Sequence, residues 1–299
     1  MGFLNSSLTT LLPFLPRQAV RPFAMRYVAG ETESDALGVV HELNQLGFSA
    51  TLDILGEHVE SAEESRKITE KYLHLYDVIA DSSLNCNISV KLTHLGLGFD
   101  DELSEENLFR LLEMAKKREN FLRIDMENTP YTDTTLALYE NCKSNYTGVG
   151  PVLQAYLRRS EGDLQRINRE SLNVRICKGI YREPEEMAFQ GRKEIRDSFI
   201  QLVQYGLTNG ATIAIATHDI YLIDTIETWL ENRSLSNDRY EFQVLYGVPM
   251  GNRLEQLLEA GHRVRIYIPF GDEWYDYAMR RLKENPKILS YVIGNWFRK

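Results

Sequence analysis

At 299 residues the chain can hold one large barrel or two domains, and 43% apolar with 26% charged residues is an ordinary globular composition. A net charge of −9 without any basic run argues against a nucleic-acid partner. Three cysteines (Cys86, Cys142, Cys177) without a C-x-x-C, and six scattered histidines without an H-E-x-x-H, fit a reducing cytoplasm and give no metal signature.

The chain opens on an apolar stretch, Leu8 to Leu15, that is short and broken by Pro13, so it cannot span a membrane. Docking on the main body or on a membrane surface is the use expected of these leucines. Met1-Gly2 with Ser6 fits the loose myristoylation pattern, which matches often by chance. Residues 1–45 are expected to form an N-terminal helical extension. Its last helix runs over Glu33–Leu46, with Leu37, Val40, Leu43 and Leu46 at helical spacing and Gly47 as the stop.

From there a pattern repeats. Strands are predicted at Phe48–Leu55, Ile88–Leu92, Phe121–Asp125, Pro151–Tyr156, Val174–Cys177, Thr212–Ala216, Phe242–Leu245 and Val264–Ile268. A charged segment, Glu57 to Asp81, follows the first strand. Amphipathic segments follow at 104–118, 131–144, 160–170, 184–207, 220–232 and 250–260. Near-continuous apolar strands alternating with helices imply a parallel sheet covered by helices. Eight units with short connections predict an α/β fold, a (β/α)8 barrel over residues 46–299. An open dinucleotide-binding sheet would want G-x-G-x-x-G; Gly96-Leu97-Gly98 continues as Phe99-Asp100-Asp101 and lacks the third glycine.

The last unit, residues 263–285, is the most informative. Pro269 and Gly271 close its strand, and Asp272 can cap a helix with an apolar stripe of Trp274, Tyr277 and Ala278. The next position on that stripe is Arg281, with Arg280 beside it. A guanidinium facing a core demands a fixed anion, either a protein carboxylate or a ligand. The plainer alternative is a solvated helix end shared with Lys283.

Barrel chemistry sits at the C-terminal ends of strands. Read in order from the second strand, those ends carry Lys91, Asp125-Met126-Glu127, Gln154, Arg175 with Lys178-Gly179-Ile180-Tyr181, Thr217-His218-Asp219, Gln243 with Leu245, and Tyr267. Singly, each has a structural explanation: Asp125 could only neutralise Lys91, and His218 could be a satisfied core histidine. Polar groups at seven consecutive strand ends are better read as an active site. Cations outnumber carboxylates there, so the ligands should be anionic. Gly179 with Lys178, Thr217 and His218 suits a pyrophosphate, and Arg280 with Arg281 suits a small carboxylate. No nucleophile-base pair is evident, so redox chemistry on a bound dinucleotide is favoured over hydrolysis.

The set Ser89-Val-Lys91-Leu, Arg123-Ile-Asp125-Met-Glu, Gln154-Ala-Tyr156, Val174-Arg175-Ile-Cys-Lys178-Gly179-Ile-Tyr181, Ala216-Thr217-His218-Asp219, Tyr240-Glu-Phe-Gln243 and Arg265-Ile-Tyr267 with Arg280-Arg281 resembles proline dehydrogenase, in its short monofunctional bacterial form. The match is collinear over roughly residues 85–285. Asp219 stands where some members of that family have asparagine, and Ile180 where it usually has alanine; Ile180 bears on packing at the isoalloxazine and on preference among proline analogues. The resemblance implies that FAD lies across the barrel mouth and that L-proline is oxidised to Δ1-pyrroline-5-carboxylate by hydride transfer to flavin N5. It implies that Arg280, Arg281 and Lys91 hold the proline carboxylate, with Tyr267 and Leu245 over the ring. Arg175 is then expected near flavin N5, and Asp125 is expected to orient Lys91 and to belong to the catalytic set. Met126, Gln154, Lys178, Gly179, Ile180, Thr217, His218 and Gln243 are expected to contact FAD, with Glu284 near its adenosine part. Electrons are expected to pass to a quinone, which places the chain in the cytoplasm, peripheral to the inner face of the membrane. Two other readings stay open from the residues alone. One is a Schiff-base aldolase using Lys91 or Lys178; the other is a catalytically idle barrel that senses a carboxylate.

Overall fold

Eight parallel strands close on themselves in chain order, β1 pairing with β8. The structure is a computed structural model and describes residues 17–168 and 170–284; the side chains of Ala19, Arg280, Leu282, Lys283 and Glu284 lie outside the described set. The order is α1 (Arg17–Ala24), α2 (Glu33–Gln45), β1 (Ser49–Ile54), α3 (Ala62–Asp81), β2 (Cys86–Val90), α4 (Asp101–Lys117), β3 (Leu122–Ile124) and α5 (Thr132–Asn145). It continues β4 (Val149–Gln154), α6 (Ser160–Ile167), β5 (Asn173–Cys177), α7 (Arg192–Thr208), β6 (Thr212–Ala216), α8 (Ile220–Arg233), β7 (Tyr240–Leu245), α9 (Arg253–Glu259), β8 (Val264–Phe270) and α10 (Trp274–Glu284). The (β/α)8 barrel expected from the strand spacing is therefore present. Helix starts follow side-chain caps: Thr32 and Asp35 form a capping box on α2, Ser61 accepts from the Glu64 amide on α3, and Asp100 from the Leu103 amide on α4.

The strands are not uniformly apolar, as the sequence reading had them. Their register sorts two faces. Leu52, Ile88, Leu122 and Val149 stand side by side, as do Val174, Ile213 and Tyr240. These face the helices and build the main core with residues such as Tyr72, Leu111, Phe199 and Ile226. The alternate set points into the barrel and is polar, whereas barrel interiors are usually branched aliphatics. Thr51 donates to Asn87 at 2.5 Å. Arg123 on β3 reaches past β4 to the Asn173 carbonyl at 2.9 Å and the Asn173 side chain at 2.6 Å, and takes the Pro151 carbonyl at 3.0 Å. Arg265 joins Glu241 at 2.8 Å and the Ala50 carbonyl at 2.6 Å. Small residues beside the arginines make this possible: Gly150 lies level with Arg123, and Ala214 with Arg175.

One predicted helix is shorter than expected. Residues 184–191 form a loop ahead of α7, not its first turns. Their backbone is taken by the segment after β4: Phe189 donates to the Tyr156 carbonyl at 2.7 Å, and the Arg158 amide donates to Met187 at 2.9 Å. At the other end, α1 packs against α10, where Val20, Phe23 and Ala24 meet Trp274, Ala278 and Met279. The leucines at 8–15 and the myristoylation pattern fall outside the described residues. Among the described residues no helix is long and apolar enough to cross a membrane.

A Cβ on Gly150 would collide with the Asn173 carbonyl and Arg123 Nη1, neither of which can move without breaking the network. Gly150→Ala is expected to lower unfolding stability by about 3 kcal/mol, as overpacking does. Gly38→Ala on α2, where nothing lies within 4 Å, should instead be neutral or stabilise by up to about 1 kcal/mol. Denaturant unfolding of both variants checks this; equal midpoints would show that the interior yields freely at β4.

Candidate active site

The C-terminal ends of the strands and the start of α10 enclose a cavity of about 440 Å³. Every predicted site residue with a described side chain lines it: Lys91, Asp125, Met126, Gln154, Arg175, Lys178, Gly179, Ile180, Thr217, His218, Gln243, Leu245, Tyr267 and Arg281. Arg280 and Glu284 belong to the α10 backbone, but their side chains lie outside the described set.

Asp125 is the hub. Its Oδ1 accepts from Arg175 Nη1 at 2.5 Å and from Ser89 Oγ at 2.8 Å, and its Oδ2 accepts from the Tyr267 hydroxyl at 2.8 Å. Burial alone would raise this carboxyl; the charges of Arg175 and Lys91 and the bonds from Tyr267 and Ser89 outweigh it and hold the pKa below its ordinary value. Arg175 is 6% exposed. It is held by Asp125, by Ser89 Oγ at 3.3 Å and by Gln243 Oε1 at 2.6 Å, and its guanidinium lies over the Tyr267 ring. These bonds occupy Nε and Nη1, which leaves Nη2 without a partner among the described residues.

Asp125 does not pair directly with Lys91, contrary to expectation. Lys91 Nζ donates to Asp53 Oδ2 at 2.8 Å, because β1 and β2 are neighbours and the Asp125 oxygens are already taken. Burial would lower the Lys91 pKa, but the Asp53 and Asp125 charges reverse this and keep the ammonium charged. Sequence reading missed Asp53 and Glu57, both lining the cavity. It began at the second strand end; a lone aspartate inside the apolar run Leu52–Leu55 was the available signal.

His218 does not bring a positive charge. Its Nε2 accepts from the Leu245 amide at 2.8 Å, and burial, followed by the charges of Arg281 and Lys178, pushes its pKa down to about 4. The ring is neutral, with its proton assigned to Nδ1 by that hydrogen bond. Cys177 lines the cavity as a thiol, its pKa raised by burial to about 11. Gly179 has φ +104° and presses on the Tyr156 ring, so a side chain there is excluded by both conformation and space. Gln243 donates to Glu241 at 2.5 Å as it accepts from Arg175. Lys178 lies 3.4 Å from Asp219, which Arg196 clamps at 2.8 and 2.6 Å. Around Asp219 a second cleft, about 460 Å³, shares Lys178 and His218 with the cavity and adds Arg192 and Arg196. Among the described residues no group of histidine, cysteine and carboxylate side chains could hold a metal ion.

Fold and site together define a (β/α)8 barrel enzyme with a cationic ligand cavity at its C-terminal face. The family model for proline dehydrogenase matches residues 36–293, and the chain belongs to the proline dehydrogenase family, an oxidoreductase family. It is 35% identical over 279 residues to proline dehydrogenase 2 of Bacillus subtilis (strain 168), covering 93% of this chain and 92% of that one. Proline dehydrogenase of Deinococcus radiodurans is 32% identical over 284 residues, covering 93% and 91%. The resemblance to the monofunctional type read from the motifs is borne out. Among solved structures, proline utilization A (PutA) of Bdellovibrio bacteriovorus, inactivated by N-propargylglycine, superposes with a TM-score of 0.82 at 24% identity. That match covers 89% of this chain and 33% of the longer one, and it carries the fold.

The His218 pKa makes a stability prediction with a definite sign. An unfolded histidine titrates near about 6.5, so between there and about 4 the unfolded chain binds the extra proton. Stability contributed by neutral His218 is therefore full above that window and is lost as pH falls through it. Going from about pH 7 to about pH 5 should cost the native protein roughly 2 kcal/mol through this residue. His218→Gln should shrink the measured pH 7-to-5 loss by that amount. An unchanged loss would mean that His218 is free to ionise in place.

Proposed function

We propose that the chain oxidises L-proline to Δ1-pyrroline-5-carboxylate with bound FAD and passes the electrons to a quinone. The observation that carries this reading is the convergence, in one cavity, of Lys91, Arg175 and Arg281 on the aromatic and apolar wall of Tyr267 and Leu245. A small ring bearing a carboxylate matches both halves of that surface.

The cavity is compatible with a dinucleotide. Arg175 keeps one donor for a ligand, Gly179 lets the backbone come close, and the adjoining cleft with Arg192 and Arg196 continues the cationic surface. Met126, Gln154, Lys178, Gly179, Ile180, Thr217, His218, Gln243 and Glu284 would hold FAD. Neutral His218 would serve it as a hydrogen-bond donor, not as a cation. When bound, FAD supplies the two-electron acceptor for the hydride leaving the ring carbon beside nitrogen.

Arg281, Arg280 and Lys91 hold the carboxylate, which fixes which ring carbon faces the cofactor. Tyr267 and Leu245 confine the ring. Lys91, kept charged by its ion pair with Asp53, offers an ammonium donor to the proline carboxylate. Arg175 is pre-oriented by Gln243, Ser89 and Asp125, so it can stabilise negative charge developing beside it without reorganising. Asp125 acts by clamping Arg175 and Tyr267. The chain works in the cytoplasm, against the inner face of the membrane, with residues 1–45 as an extension to the barrel of residues 46–299. A Schiff-base aldolase using Lys91 would need it deprotonated, and its surroundings keep it protonated; one using Lys178 is separated by borohydride trapping.

Purified protein is expected to be yellow, to release FAD rather than FMN on heating, and to bleach anaerobically with L-proline. Colourless protein that neither binds added FAD nor bleaches would overturn the reading. Trapping by borohydride with a carbonyl substrate would restore the aldolase.

Arg281→Ala is expected to raise KM for proline by about 10- to 150-fold, the worth of a charge-assisted hydrogen bond. Pyrrolidine, which lacks the carboxylate, should be a poor substrate of the native enzyme. Because both changes delete one interaction, they should not add. A further loss of about tenfold in kcat/KM for pyrrolidine on Arg281→Ala would move Arg281 to a role in holding α10.

A further inference from the structure

Below the cavity lies a carboxylate that the proposed chemistry does not touch. Glu241 is two residues before Gln243 on β7, so both side chains point into the barrel. Its Oε1 accepts from Arg265 Nε at 2.8 Å and from Gln243 Nε2 at 2.5 Å. Gln243 then presents Oε1 to Arg175 Nε at 2.6 Å, and Arg175 Nη1 meets Asp125 at 2.5 Å. Arg265 is anchored from its far side by the Ala50 carbonyl at 2.6 Å. The result is a continuous relay from the lower barrel to the cavity.

The weak point of such a relay is the amide. Half a turn exchanges its donor and acceptor ends at almost no steric cost. Turned over, Gln243 would aim its NH2 at Arg175 Nε, donor against donor, and Arg175 would have to leave. An acceptor held below the amide prevents the turn from that side, and the single oxygen Glu241 Oε1 meets both donors there, Arg265 Nε and Gln243 Nε2. Glu241 remains such a group: burial would raise its pKa, but the Arg265 charge and the bonds from Arg265 and Gln243 bring it down to about 2.

We propose that Glu241 is a positioning residue for proline oxidation: by fixing the direction of the Gln243 amide it sets how Arg175 presents its guanidinium to the cavity. This rests on the role given to Arg175 above. The competing role is simply to neutralise Arg265. The two differ in what they require, since neutralisation needs a nearby charge whereas positioning needs the donor-acceptor order.

Two variants separate them. Glu241→Gln keeps an oxygen where Arg265 Nε and Gln243 Nε2 converge but removes the charge; Glu241→Leu removes both. Glu241→Leu is expected to lower kcat at least about tenfold with KM within about threefold, and Glu241→Gln to stay within about fivefold of native. A readout without turnover is the Arg175 Nε–H in the protein as purified, identified by its loss in Arg175→Lys. Its hydrogen exchange should be slow in native and Glu241→Gln and at least about tenfold faster in Glu241→Leu. Unchanged kcat and exchange in Glu241→Leu would overturn the proposal. A Glu241→Gln protein with native thermal stability but the low kcat and fast exchange expected of Glu241→Leu would overturn it too, leaving neutralisation. Should Glu241→Leu not fold, Glu241→Gln against native decides alone. A native chain with the expected exchange pattern that fails to oxidise proline would sink the functional reading and spare this one.

Discussion

A charge can be buried inside a barrel only if its donors find acceptors, and that requirement governs this molecule from its register outward. Four cations, Lys91, Arg123, Arg175 and Arg265, enter the strand interior or its mouth together with Asp53, Asp125 and Glu241. Removing one member of such a set leaves an uncompensated charge and costs about 3–5 kcal/mol, whereas an apolar replacement of the whole set is often neutral or stabilising. Stability alone therefore gives no reason to keep it. What the network provides is direction: each long side chain is held at both its root and its tip, on a closed sheet that cannot shear.

The same requirement explains details that look unrelated. Gly150 beside Arg123 and Ala214 beside Arg175 are small because the arginines cross in front of their strands. The apolar face of each strand is correspondingly free to carry the whole hydrophobic load against the helices. Helix α10 meets the site from outside the barrel. Its Trp274, Ala278 and Met279 are buried on Val20, Phe23 and Ala24 of α1, while Arg281 turns to the cavity from the same helix. The N-terminal helix thus holds the element that carries Arg281, a role that composition could not suggest because α1 and α10 are separated by nearly the full chain.

Much of this was legible in the sequence. The strands were found because runs such as Thr212–Ala216 and Val264–Ile268 are β-branched and apolar and are bounded by turn residues. The site was found because polar residues recur at strand ends, a one-dimensional signal. Pairing was not legible, since it depends on which strands face each other across the barrel. Lys91 has Asp53 as partner, not Asp125, and Gln243 serves Arg175 before any ligand. Protonation was not legible either. His218 reads as a pyrophosphate contact with no protonation state attached until the Leu245 amide and its burial are seen. The loop at 184–191 misled because Met187 and Ala188 continue a helical stripe, while the backbone bonds that hold them come from residues 156–158.

The protonation states also bear on how the proposed reaction loses its proton. A ring amine arrives mostly as the ammonium and must shed a proton before hydride can leave. A built-in base would need a pKa near neutrality. The cavity groups divide: Asp125 is held low, His218 sits at about 4 and Cys177 at about 11, whereas burial raises the Asp53 carboxyl above its ordinary value. Lys91, paired with Asp53 at 2.8 Å, is kept protonated. Of these groups only Asp53 moves toward neutrality, so on the proposed reading it is the cavity carboxyl whose affinity for a proton burial has increased. The polar interior that looks extravagant for a fold is, in this view, what drives apart the titrations of groups that neighbouring strand ends bring together.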